Sequence, residues 1–288
     1  ALLPFVSSGY VMVHSNHRRG ILWRLVEMSS RYASIQRPTL KAMREGFQKI
    51  GVVASMSNGL VTCIPELLRL VPPSDTSRGR LTLDVAGART VFHMLRFEPK
   101  YCEEALLGIT KLPEESLFLL AKDGLGSRCV WDGVLEGPAR ESHFATALKR
   151  LVGRLSGRWA TLATDRVGYH VVEKLFGRLC DMGDRETLAS ELCNSMSRLS
   201  GNKMGRTVIE ICDLRGYLEM GYTEWKKQVG RRAETEGWLK EVESEEAAKT
   251  KKRKRERKRK RDKPTNESST KKRVSESKLL KSESETTK

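Results

Sequence analysis

Asp165-Arg166-Val167-Gly168-Tyr169-His170-Val171-Val172 is one copy of a short pattern that recurs along this chain of 288 residues. Three further copies are clear. They are Asp84-Val85-Ala86-Gly87-Ala88-Arg89-Thr90-Val91, Asp123-Gly124-Leu125-Gly126-Ser127-Arg128-Cys129-Val130 and Asn202-Lys203-Met204-Gly205-Arg206-Thr207-Val208-Ile209. Each has Asp or Asn, two residues, Gly, two variable residues, then two small or apolar ones. A weaker copy runs from Met56 through Gly59 to Cys63, and one weaker still from His17 through Gly20 to Arg24. The glycines at 20, 59, 87, 126, 168 and 205 are 39, 28, 39, 42 and 37 residues apart, a period near 38. That period corresponds to one helix pair or triplet per unit of a helical solenoid.

The pattern has a physical reading. Asp or Asn at the start is a good N-cap, accepting hydrogen bonds from the free N–H groups of the first helical turn. Gly three residues later admits close approach of a neighbouring repeat's backbone. The apolar pairs Cys129-Val130, Val171-Val172 and Val208-Ile209 face the core. A helix before each motif completes the unit, as from Pro113 to Leu120, where Pro followed by Glu114 and Glu115 makes a favourable first turn. Residues 1–230 read as helical throughout, because apolar residues recur three and four apart and Pro is scarce. The break from Val71 to Ser77 reads as a loop between repeats. The expected fold is all-α, an α-solenoid.

On a helix, the first, second and fifth residues after each Gly share one face. These triplets are Ala88, Arg89 and Phe92; Ser127, Arg128 and Trp131; Tyr169, His170 and Glu173; Arg206, Thr207 and Glu210; and, in the weaker copy, Leu60, Val61 and Ile64. Stacked helices would line a concave surface with them. Such a surface can offer hydrogen-bonding groups to base edges and flat side chains between bases.

Charge points the same way. The net charge is +17, of which +12 lies in residues 249–288. Residues 249–263 alone hold twelve Lys or Arg against Glu256 and Asp262. A polyanionic partner is expected. Residues 241–288 carry too little apolar material to bury a core, so a disordered basic tail is expected, suited to nuclear targeting and RNA contact. The domains read as 1–50, degenerate helical repeats; 51–230, the clear repeats; and 231–288, the charged tail. The apolar opening from Ala1 to Val6 has no basic region before it and is not read as a signal peptide. No apolar run is long enough for a membrane span. The six cysteines show no paired spacing for zinc, so neither metal nor cofactor is expected. Gly124 and Gly126 belong to the repeat rather than to a nucleotide loop, and nothing motivates an enzyme.

The motif resembles the third helix of Pumilio (PUF) repeats, clearly over about residues 50–215 and weakly over 1–50. In that family the first and fifth residues read a base edge and the second stacks. The resemblance implies RNA-binding roles for Arg89, Ser127, Arg128, Trp131, Tyr169, His170, Glu173, Arg206, Thr207 and Glu210. The irregular spacing, the stretch from Ile211 to Tyr217, and Trp225 with a lysine-rich tail behind it resemble the nucleolar protein 9 branch. This implies a monomeric nuclear and nucleolar protein that binds precursor ribosomal RNA, alongside pre-ribosomal proteins, in small-subunit assembly. It also implies that the chain is the C-terminal part of a longer array. Trp131, Phe92 and Ile64 depart from the family's Gln or Glu at the fifth position, which argues against one base read by every repeat. Two other readings remain open at this level: a protein-binding scaffold of armadillo or HEAT type, and a cytoplasmic Pumilio-type mRNA regulator.

Overall fold

A computed structural model describes residues 19–49, 60–70, 82–136, 142–179, 181–231 and 235. The chain divides into two units, Ala1–Val229 and Gly230–Lys288. His17, Gly59, the loop from Val71 to Ser77, Cys180, Trp238 and the basic run 249–263 lie outside the described residues. In the second unit only Gly230, Arg231 and Thr235 are described; all are helical, and the Thr235 hydroxyl donates to the Arg231 carbonyl.

The described part of the first unit is built from helices. They are α1 (Arg19–Arg31), α2 (Ala33–Lys49), α3 (Cys63–Leu68), α4 (Val85–Met94), α5 (Pro99–Thr110) and α6 (Glu114–Lys122). The seventh, α7, runs as Gly124–Gly126, a single π turn over Ser127–Trp131, and Asp132–Leu135. After it come α8 (Ser142–Arg154), α9 (Trp159–Ala163), α10 (Gly168–Arg178), α11 (Met182–Cys193), α12 (Met196–Ser200), α13 (Lys203–Ile211) and α14 over 214–229. They form four three-helix units in series: α2–α4, α5–α7, α8–α10 and α11–α13. Helix α1 packs on α4, so the motif helices α1, α4, α7, α10 and α13 form one row. The first helices of the units, α2, α5, α8 and α11, form another.

The motif's polar residue caps each helix as expected. The Asp84 carboxylate accepts from Gly87 N at 2.6 Å, Asp123 from Leu125 N and Gly126 N at 2.9 and 2.8 Å, and Asp165 from Val167 N and Gly168 N at 2.9 and 3.0 Å. Asn202 does the same for Met204 N and Gly205 N, at 2.8 and 3.3 Å.

The glycine's role needs a correction. The backbone it meets belongs to the preceding helix of its own unit, not to the neighbouring repeat. A Cβ on Gly126 would stand 2.5 Å from the Leu120 carbonyl oxygen, and one on Gly168 2.9 Å from that of Leu162. Gly87 and Gly205 press harder still, on the carbonyls of Leu67 and Leu199. In three units the links between α6 and α7, α9 and α10, and α12 and α13 are only one to four residues long, whereas the Gly87 unit reaches the same contact across the longer link from α3 to α4. The preceding helix therefore ends directly beneath the motif.

This contact also reassigns the Gly59 copy. Helix α3 supplies the carbonyl under Gly87, the place that α6, α9 and α12 hold in the other units. Leu60, Val61 and Ile64 are buried in the core. The segment after Gly59 is thus the middle helix of the Gly87 unit rather than a motif helix, which is why the spacing of 28 breaks the period.

One continuous apolar core runs through the rows. Buried indoles tie helices together by polar bonds as well as by packing. Trp131 Nε1 donates to the Leu117 carbonyl at 3.3 Å, and Trp159 Nε1 to that of Val152 at 3.2 Å. At the far end Trp225 of α14 is fully buried, donates to the Cys212 carbonyl at 3.2 Å, and packs against Phe176, Tyr217 and Tyr222. It closes the apolar end of the array, the role expected of a residue just beyond the repeats. Burial pushes the Cys63 thiol, in the core, up to about 12 and the half-buried Cys193 thiol, packed against the core, up to about 11, so both are protonated.

Candidate nucleic-acid interface

The row of motif helices carries the triplets, and their exposure divides them. Arg89, Arg128, His170, Arg206 and Glu210 are exposed, while Phe92, Tyr169, Glu173 and Thr207 are half-buried. Ala88 and Ser127 are buried. The second residues Arg89, Arg128 and His170 therefore all reach the surface. On α10 the Tyr169 and His170 rings lie 3.9 Å apart, and His170 Nδ1 stands 3.5 Å from Glu173 Oε2. On α13 Arg206 and Thr207 each bond back to backbone carbonyls, of Ser200 and Lys203 respectively, both at 3.4 Å.

Trp131 is the clear departure. It is 1 % exposed and cannot offer a plane to a base. The π turn explains this. In α4 the buried residues fall three, four, seven and eight places after the glycine: Thr90, Val91, Met94 and Leu95. In α10 they are Val171, Val172, Leu175 and Phe176, at the same offsets. In α7 they are Val130, Trp131, Val134 and Leu135, each one place later. The wider turn over Ser127–Trp131 absorbs one extra residue. Asp132, not Trp131, therefore stands where the fifth residue stands elsewhere.

Asp132 faces a groove of about 600 Å³ between α7 and α10, lined also by Ser127, Arg128, Arg166, His170 and Lys174. Lys174 of α10 reaches across it, with Nζ 2.8 Å from Asp132 and 3.7 Å from Glu136. Ser127, Arg128 and His170 thus meet in one place, although they come from two units. Arg89 stands elsewhere, turned toward Trp23 of α1, and the α13 triplet sits one helix beyond the groove. Asp132, Arg166 and Lys174 were missed from sequence. A signal existed for Asp132: Val130-Trp131 is a better apolar pair than Cys129-Val130, and choosing it moves the outward position by one. Among the described residues no group of three His, Cys, Asp or Glu is placed to hold a metal ion. Among them, too, no helix is long and apolar enough to cross a membrane.

Three-helix units in series, each with a capped, glycine-seated third helix in one common row, define a PUF-type helical-repeat protein. The chain belongs to the NOP9-like PUF repeat family, whose repeat domain it matches over residues 6–207. It is similar to Pumilio homolog 23 of Arabidopsis thaliana, at 24% identity over 218 residues, covering 73% of this chain and 27% of that protein. The chain thus spans about a quarter of that relative's length. The solved structure of APUM23 with its insert region deleted, named together with GGAAUUGACGG, matches with a TM-score of 0.51 and 20% identity. It covers 80% of this chain and 50% of that one, and it shares the fold.

Proposed function

We propose that this protein binds unpaired RNA along its row of motif helices and acts in precursor ribosomal RNA processing and small-subunit assembly in the nucleolus. The observation that carries the reading is the α7–α10 groove. It presents two guanidiniums, an ammonium and an imidazole beside a carboxylate and the Ser127 side chain, at the junction of two repeats. Cations suit phosphates, whereas a fixed carboxylate accepts hydrogen bonds from base N–H groups. Membership of the NOP9-like PUF family supports an RNA partner, and the solved relative named with GGAAUUGACGG supports it further. The basic run 249–263 suits nuclear entry and added RNA affinity.

Crosslinking RNA to the intact protein in cells, then mapping the adducted peptides and sequencing the RNA, tests this. Adducts on α7 and α10 with precursor ribosomal RNA are the expected result. Adducts confined to 249–273 would overturn the helix-row assignment in favour of a protein-binding scaffold. Messenger RNA in place of ribosomal precursor would move the protein to mRNA regulation.

Asp132 gives a sharper check. Asp132→Ala is expected to erase about tenfold of the preference among the four bases at one position of the bound RNA, the size of one good hydrogen-bonded contact to a base edge. Trp131→Phe should leave that preference intact. Competition binding with RNAs varied one position at a time measures both, and a preference that follows Trp131 instead would refute the shifted register.

A further inference from the structure

The paired faces of α1 and α4, which pack directly on one another, lie on the same row of motif helices but have a different chemical character. Trp23 of α1 is half-buried, and the Arg24 guanidinium lies over its ring at 3.8 Å. The Arg89 guanidinium, the second residue of the α4 motif, stands 5.0 Å from the same ring. The His93 ring is nearly parallel to the indole, with centroids 6.3 Å apart and planes within 10°. Phe92 meets His93 edge-on at 5.3 Å, and Arg96 lies over Phe92 at 5.0 Å. The rings of Trp23, His93 and Phe92 thus run in contact across two helices, with Arg24 and Arg89 over the indole at one end and Arg96 over Phe92 at the other.

The charge balance is lopsided. Glu27 takes hydrogen bonds from Arg24 at 2.8 Å and Arg31 at 2.9 Å. Arg89 over Trp23 and Arg96 over Phe92 have no such carboxylate partner among the described residues, and all four guanidiniums are exposed. The α7–α10 groove, by contrast, has a carboxylate, Asp132, in its lining, and its cation Lys174 is already paired with Asp132 and Glu136. His93 adds no charge of its own, because burial, with Arg96, Arg31 and Arg24 nearby, holds its imidazole below the usual range against the pull of Glu27. Its Nδ1 is buried and meets no hydrogen-bond partner among the described residues.

We propose that the α1–α4 surface is a phosphodiester-anchoring site for single-stranded RNA, in which Arg24, Arg89 and Arg96 hold the backbone and Trp23 supports an adjoining base. The inference rests on the RNA-binding reading above and adds a division of labour to it. The α1–α4 surface grips the backbone regardless of sequence, while the α7–α10 groove, with Asp132 in its lining, contacts base edges. Phosphates gain from a cluster of planar guanidiniums that outnumbers its one carboxylate partner, Glu27, and Arg paired with an aromatic face suits a stacked base. A carboxylate-rich protein segment would gain from the charges alone and would have no use for the rings between them.

The test uses the full chain and an unpaired RNA of about 12 nucleotides, a length typical of single-strand sites. Affinity is measured against salt for three forms: the native protein, the triple variant Arg24→Gln, Arg89→Gln, Arg96→Gln, and the matching Arg→Lys triple. Each lost phosphate contact lowers the salt slope by about 0.7, so the Gln triple should lose about 2 from the slope and at least about tenfold in affinity. The Lys triple should keep the slope. A Gln triple with native slope and affinity would overturn the anchor, provided that Arg128→Ala with Lys174→Ala still weakens binding. If that second pair is also without effect, the RNA-binding reading of the helix row fails with it. All these residues are exposed or half-exposed, and an unchanged melting curve confirms that each variant is folded.

Discussion

Trp131→Ala is expected to cost about 4 kcal/mol of stability, the usual penalty for emptying a buried indole site. The side chain is 1 % exposed, and its Nε1 bond to Leu117 joins α7 to α6. Truncation leaves a void and removes that bond between the two helices. The melting temperature should fall by roughly 10 °C for a folded region of this size. Trp131→Phe keeps most of the volume and loses the bond, so its cost should be less than half as large. Chemical denaturation of the two variants distinguishes a core residue from a base-stacking one. A loss below about 1 kcal/mol for the alanine variant, typical of a surface change, would contradict the burial.

Replacing a motif glycine should be comparably severe for the opposite reason, excess volume. In Gly126→Ala the new methyl would meet the Leu120 carbonyl oxygen at 2.5 Å and the Leu120 Cα at 2.9 Å. Backbone on both sides leaves nothing flexible to yield, so the helices must part, at a cost of about 3 kcal/mol. Gly153→Ala is the control. It lies within α8 with open space around the site, and alanine there should add about 0.5–1 kcal/mol through helix propensity. Denaturation midpoints that move the same way for both would show that the close contact has no energetic weight.

How much of this was legible beforehand depends on range along the chain. The caps were, because Asp or Asn and the amide it satisfies lie within three residues. The all-helical class and the glycine seats were also readable, although the surface each glycine meets was assigned to the wrong neighbour. Gly59 deceived because its local pattern fits, whereas its place is decided by Leu67 packing under Gly87. The π turn leaves only a faint mark in the sequence, since it changes which carbonyl each N–H finds rather than which residues are present. The contacts between successive motif helices were the least visible. Lys174 meets Asp132, and Arg89 meets Trp23, only because successive units stack.

The wider turn in α7 bears on how such an array changes over generations. Adding a residue to a regular helix rotates everything after it by about 100° and usually turns the core outward. Here the extra residue is absorbed within one turn; Val134 and Leu135 return to the interior, and only the outward-facing side chain is exchanged. A single codon gained or lost can therefore alter what one repeat offers to a ligand, leaving its neighbours untouched and every existing side chain in use. Drift in helix length thus stands beside substitution as a source of new preferences in this fold.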